Sequence, residues 1–281
     1  MPGIIGYIGK DPVFLRCAYT LEQGAIRESA DTFGGWGIIY YQAGDILLRS
    51  HPTPSRDAEG LMKILKDAEA TALLGRFESP AAPPPGKWNM QPFRYRGWVY
   101  VQEGKIGGFA RMKESLVAAM PDFLGRSLKG SSDAEVLFHL ILSFLYDAGK
   151  LGSAEIDPDS LQAAMKHSLA FTGKMCAEFG CKPPAVSLLI SNGIIMAGYC
   201  AGQNGKIAVY EGRGRCDDCD HQKQCKLYRQ SESSRATLVM MMRRFPEAFR
   251  KKHFSPIQAD TFFFVTPDIT VEMIPGRISS Y

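Results

Sequence analysis

The chain has 281 residues, 45% hydrophobic and 22% charged, with a formal net charge of +4. This is the balance of a globular protein built as one large domain or two ordinary ones. No run of about 18 apolar residues occurs, which excludes a membrane-spanning helix. No basic stretch leads into an apolar core as in a secretory signal, so a cytoplasmic protein is expected. The mild positive charge permits an anionic partner without requiring one.

Met1-Pro2-Gly3-Ile4-Ile5-Gly6-Tyr7-Ile8-Gly9 reads as a strand with apolar side chains for both faces and glycines that allow close backbone approach. Pro2 is small enough for Met1 to be removed, which would leave Pro2 a free secondary amine. Asp11-Pro12 caps a helix carrying Val13, Cys17, Leu21 and Ala25. Gly34-Gly35-Trp36-Gly37 turns into the strand Ile38–Tyr41, and Gln42-Ala43-Gly44-Asp45 is a hairpin loop into Ile46–Arg49. A helix over Asp57–Ala70 and a strand over Thr71–Phe77 follow, then a proline-rich loop over Ser79–Lys87. Gly97 to Gln102 is a strand stopped by Glu103-Gly104.

Ser131 or Ser132 caps a helix over Asp133–Tyr146, and Asp159 or Ser160 starts a longer one with Leu161, Met165, Leu169, Thr172, Cys176 and Phe179 along one stripe. Three strands follow over Val186–Ile190, Ile194–Tyr199 and Ile207–Tyr210. A cysteine-rich loop over 213–227 precedes a basic helix from about Ser233 to Lys252, and a strand over Thr261–Thr266 closes the chain. The mixed order, with hairpins, predicts a mostly antiparallel sheet system covered by helices.

Seven cysteines without an export signal favour reduced thiols or metal ligands over disulfides. Cys216-x2-Cys219-x5-Cys225 lets two thiolates grip a metal from one turn while a third returns. This spacing looks like part of a four-cysteine iron–sulfur site, with Cys200 as the expected fourth ligand ahead of Cys181 and Cys176. Zinc is the alternative, with Cys200 or His221 completing a tetrahedron. Arg235, Arg243, Arg244 and the cations of 250–253 form a solvated helix face, and no nucleic-acid-binding motif accompanies them. His139, on an apolar helical stretch, reads as a satisfied core residue. His51 and His167 carry no assigned role.

The N-terminal start and four further stretches in order resemble the class II glutamine amidotransferases of the N-terminal-nucleophile hydrolase type. Pro2-Gly3-Ile4-Ile5-Gly6 is similar to their Cys-Gly-Ile-Ile/Val-Gly start, and Gly34–Tyr41 to Asp-Gly-Trp-Gly-Ile-Ala-x-Tyr. Asn89-Met90-Gln91-Pro92-Phe93 resembles Asn-Thr-His-Pro-Phe, Trp98–Gly104 resembles Trp-x-x-Ala-His-Asn-Gly, and Ser131–Phe138 resembles the Thr-Asp-Ser-Glu segment. The landmarks cover residues 2–145, and the likeness grows vague beyond them. The resemblance implies a single α+β domain over 1–281, a four-layer αββα sandwich with mostly antiparallel sheets.

It also implies a site in which the family's chemistry is missing. The family's N-terminal cysteine is at once nucleophile and base; Pro2 has no thiol. The family's oxyanion donor, the Asn before Gly, is Glu103 before Gly104 here, and a carboxylate repels an oxyanion where a donor contributes roughly 3–4 kcal/mol. The arginine that binds the substrate carboxylate aligns with Phe77, which places Phe77 in the pocket and Arg76 on the other strand face; a one-residue slip would restore Arg76. Asn89 and Asp133 are retained, Asp133 matching the acid that holds the substrate amine. The expectation is a pseudoenzyme that binds a small molecule or partner protein. The alternatives are an enzyme using the Pro2 amine, with a pKa lowered by burial, and an iron–sulfur accessory protein.

Overall fold

A strand buried on both faces shows no hydrophobic alternation, and this is how β1 (Gly3–Gly9) is placed. Every residue of it is buried. It lies at the centre of a seven-stranded antiparallel sheet in the order β11-β9-β10-β1-β4-β2-β3. These strands are β2 (Trp36–Gln42), β3 (Asp45–His51), β4 (Ala72–Phe77), β9 (Gly205–Gly212), β10 (Ser234–Met242) and β11 (Ser255–Ile257). The second sheet has six strands in the order β13-β12-β8-β7-β6-β5. They are β5 (Phe93–Tyr95), β6 (Trp98–Glu103), β7 (Ser187–Ser191), β8 (Met196–Cys200), β12 (Thr261–Val265) and β13 (Val271–Pro275). The computed structural model describes residues 3–10, 12, 35–51, 58–79, 86–153, 155–202, 205–212, 234–242 and 254–276.

Three cores separate four layers. Ile5, Tyr7, Trp36, Leu73 and Phe77 pack beneath helix α1 (Ala58–Asp67) through Leu61 and Leu65. Ile4, Ile8, Ile39 and Leu74 of the first sheet meet Val99, Val101, Leu189 and Met196 of the second. Trp98, Tyr100, Leu188 and Ile190 face helices α2 (Phe109–Ala118), α3 (Asp122–Gly125), α4 (Asp133–Asp147) and α5 (Pro158–Glu178). The expected αββα sandwich is the observed one. Gly6 lets the sheets close on each other: a Cβ there would lie 2.6 Å from Met196 Sδ and 3.0 Å from Leu189.

Local signals hold well. Ala43 and Gly44 take the positive φ of a tight hairpin between β2 and β3. Ser132 caps α4, its hydroxyl accepting from Glu135 N at 3.1 Å. The longer helix starts slightly earlier than expected, capped by Asp157 with Pro158 in its first turn. The expected basic helix from Ser233 is wrong over its first half. Ser234–Met242 is β10, paired with both β1 and β9. Leu238 to Met242 form an apolar run buried on both faces, and such a run carries no period that separates strand from helix. Residues 243–253 lie outside the described residues, as does the helix expected from Val13.

Candidate functional site

The β1–β4 ladder sets the geometry. Ile4 pairs with Arg76 and Gly3 with Phe77. Side chains alternate along a strand, so Arg76 shares the inter-sheet face with Ala72 and Leu74, while Phe77 joins the opposite core beneath α1. The expectation that Phe77 lines the pocket and Arg76 turns away is therefore reversed. On the facing sheet, Glu103 follows Val99 and Val101 on the same side of β6.

Arg76 and Glu103 meet there as an ion pair, 9% and 5% exposed respectively. A second carboxylate, Glu78, accepts from Arg76 Nε at 3.2 Å and Nη2 at 3.3 Å. Burial alone would lower the guanidinium pKa; the charges of Glu78 and Glu103 and their hydrogen bonds outweigh it and raise the net value. The cation is thus held in a low-dielectric gap by two internal anions. Glu78 had no signal in the sequence, because its role depends on which face Arg76 takes.

Gly104 terminates β6 with φ +97°, a conformation open to glycine. A Cβ there would stand 2.4 Å from the Ala185 carbonyl oxygen. Gln102, on the helix side of β6, accepts from the Tyr100 hydroxyl at 2.8 Å and donates to the Gly104 carbonyl at 3.4 Å. Burial, followed by the charge of Asp133, raises the Tyr100 pKa, so the phenol stays protonated as that donor. Asp133 Oδ2 accepts from Ile106 N at 2.7 Å, which ties the start of α4 to the loop after Gly104. Asn89 Oδ1 accepts from Ser131 N at 2.7 Å. Asn89 and Asp133 thus act in the described structure as loop anchors. Pro2 lies outside the described residues.

Cys216, Cys219 and Cys225 also lie outside the described residues. Their attachment does not: Gly212 pairs with Ser234, so the loop 213–233 joins the ends of the β9–β10 hairpin. Cys200 stands elsewhere. Its thiol is buried between the sheets, donates to the Gly202 carbonyl at 2.8 Å, and packs at Gly205. Gly205 is the opposite end of β9 from Gly212, roughly 23 Å along the strand. The three sulfurs that Cys200 is expected to join lie outside the described residues.

No family model and no curated protein matches the sequence. Solved structures do match the fold. A glutamine aminotransferase class-II domain protein from Silicibacter pomeroyi aligns with TM-score 0.62 and 16% identity, over 98% of this chain and 99% of that one. The allosteric regulatory enzyme of purine biosynthesis aligns with TM-score 0.62 and 15% identity over 99% of this chain and 49% of that one. Glutamine phosphoribosylpyrophosphate amidotransferase from B. subtilis aligns with TM-score 0.56 and 17% identity over 99% of this chain and 50% of that one. This chain therefore spans about half the length of the last two. Its fold is that of the N-terminal-nucleophile glutamine amidotransferases: α+β, two antiparallel sheets between helices. No helix among the described residues is long and apolar enough to cross a membrane.

Proposed function

We propose that this is an amidotransferase-like binding protein that does not hydrolyse glutamine and acts by holding a small molecule or partner protein. The observation that supports it is the buried ion pair. The only cation on the inter-sheet face of β4, where the resemblance expects a carboxylate clamp, is already matched by Glu103 and Glu78. A substrate carboxylate would have to displace an anion from a desolvated site, a costly exchange. Glu103 also stands where the resemblance calls for an oxyanion donor, and Pro2 supplies no thiol.

The test is glutamate release from glutamine by the pure protein. None is expected, and release that co-purifies with the protein and scales with it would overturn the reading. Pro2→Cys alone should stay near background, because Glu103 still opposes the oxyanion. Adding Glu103→Asn to Pro2→Cys should raise the rate, on the order of a hundredfold if a full donor is restored.

A metal in the cysteine loop is the second element of the proposal. Cys200 lies in the inter-sheet core beside the end of β9 away from the loop, and His221, within the loop itself, is the fourth partner we assign to Cys216, Cys219 and Cys225, which favours zinc over an iron–sulfur cluster. Metal analysis decides: one zinc per chain, retained in Cys200→Ser and lost in Cys219→Ser, is expected. Iron with sulfide, or zinc loss in Cys200→Ser, would refute this arrangement.

A further inference from the structure

Beside the inter-sheet site, a second cavity opens at the edge of the sandwich where β3 and β5 are the outermost strands of their sheets. Its volume is about 760 Å³, within the usual range for small-ligand sites. Lys87, Trp88, Arg94, Lys129, Glu135 and His139 contribute to its wall. Three features set it apart from an ordinary surface dent.

The first is charge that the protein leaves unmatched. Lys87, Arg94 and Lys129 are exposed and, among the described residues, none is in an ion pair. Arg94 is held in place by carbonyls alone, donating to Arg96 O at 3.0 Å and Ile46 O at 3.1 Å. The one carboxylate nearby is spent elsewhere: Glu135 accepts from the backbone N–H groups of Lys129 and Gly130 at 2.8 and 2.7 Å.

The second is Trp88, 54% exposed while Trp36 and Trp98 are buried. Lys87 Nζ and Lys129 Nζ stand 4.9 and 5.9 Å from its ring centre. Both ammonium groups lie over the indole as cation–π contacts, which an aromatic anion would replace by taking the ammonium groups with its charge and the indole with its ring.

The third is His139. It is 3% exposed, and its Nδ1 lies 2.8 Å from the Glu135 carbonyl oxygen. A carbonyl only accepts, so in the neutral ring Nδ1 carries the proton and Nε2 is an acceptor. That Nε2 is buried and has no partner among the described residues. A buried polar atom without a partner costs free energy, and a ligand donor would satisfy it. Burial lowers the His139 pKa against the opposing pull of Glu135, which keeps the ring in this accepting form.

We propose that this edge cleft binds a small aromatic anion, its carboxylate or phosphate on Lys87, Arg94 and Lys129, its ring on Trp88, and a donor group on His139 Nε2. The site is separate from the Arg76–Glu103 pair, so its test does not depend on whether glutamine is hydrolysed.

The probes are phenyl phosphate and 4-aminobenzoate, titrated into the full chain while the indole N–H resonances and the His139 imidazole nitrogens are followed by NMR. The Trp88 resonance should move saturably, with half-effect below about 1 mM, while those of Trp36 and Trp98 stay and report an intact fold. Arg94→Gln with Lys129→Gln should weaken binding by at least about tenfold. Of the two probes, the tighter identifies the preferred anion. A Trp88 signal unmoved at about 10 mM, or equal affinity in the double variant, would overturn the site. Benzyl alcohol binding as well as the anions would overturn the charge assignment, and inorganic phosphate binding as tightly would overturn the ring assignment. A His139 Nε2 signal unchanged at saturation with 4-aminobenzoate would remove His139 from the site.

Discussion

Two places in this molecule set cations beside glutamates, one arginine between two of them and three cations beside one, and they resolve the charge in opposite ways. Between the sheets, Arg76 is buried and donates to two carboxylates, Glu78 and Glu103. At the sandwich edge, Lys87, Arg94 and Lys129 are exposed and the neighbouring Glu135 is turned to backbone amides instead. The difference follows from solvent. A guanidinium taken out of water must be compensated internally or the fold loses stability, whereas surface cations are hydrated and need no partner. The first site is therefore closed to an outside anion and the second is open to one, although the fold family would have led one to look for anion binding only at the first.

The sharpest way to break this contrast is to remove one partner of the buried pair. Arg76→Ala leaves Glu103 and Glu78 without their cation in a desolvated gap, and a cost of about 3–5 kcal/mol is expected. Arg76→Met combined with Glu103→Leu removes the buried pair and leaves only Glu78, whose side chain is 22% exposed and can be hydrated, so it should restore most of that loss. Urea unfolding of the single and double variants measures it. A single-variant cost under about 1 kcal/mol, the range of an exposed pair, would mean the pair is solvated and the two sites do not differ in kind.

The next effect is smaller and comes from the edge cleft. His139 has a pKa below its ordinary 6.5 because burial disfavours the imidazolium, with Glu135 only partly opposing. The unfolded chain then binds more protons than the folded one as pH falls through 6.5, so folded stability should decline on acidification below that value. The decline levels off once pH passes below the depressed folded value. His139→Phe should flatten this part of the stability–pH curve. An identical slope in wild type and variant would show that His139 does not titrate in this way.

Local chemistry was legible in the sequence wherever a few adjacent residues decide the outcome. The β2–β3 hairpin, the Ser132 cap and the stripe of α5 all belong to this kind. The N-terminal start and the four landmarks after it carried the fold. What failed was the assignment of faces in strands that are buried on both sides. In β4, Leu73, Leu74 and Phe77 are all buried, so nothing local says whether Arg76 or Phe77 faces the second sheet. In β10 the same absence of alternation, with methionines that suit a helix as well as a core strand, produced a helix where a central strand stands. His139 was read as satisfied and is so only at Nδ1. The edge cleft could not be read at all, since Trp88, Arg94, Lys129 and His139 come from four segments that only the sheet edges and α4 bring together.

The smallest expected effect completes the contrast. Arg94→Gln with Lys129→Gln removes two of the three cations assigned to the anion. Both side chains are exposed and neither is ion-paired among the described residues. Arg94 does lose its hydrogen bonds to Ile46 and Arg96, but these carbonyls are open to water that can replace it. Surface changes of this kind usually stay within about 0.5 kcal/mol, so the urea midpoint should hardly move. Unfolding free energies of wild type and double variant, measured side by side at neutral pH, check this. A loss approaching that of Arg76→Ala would mean the edge cations hold the two sheets together, making them part of the scaffold and not a surface kept open for a ligand.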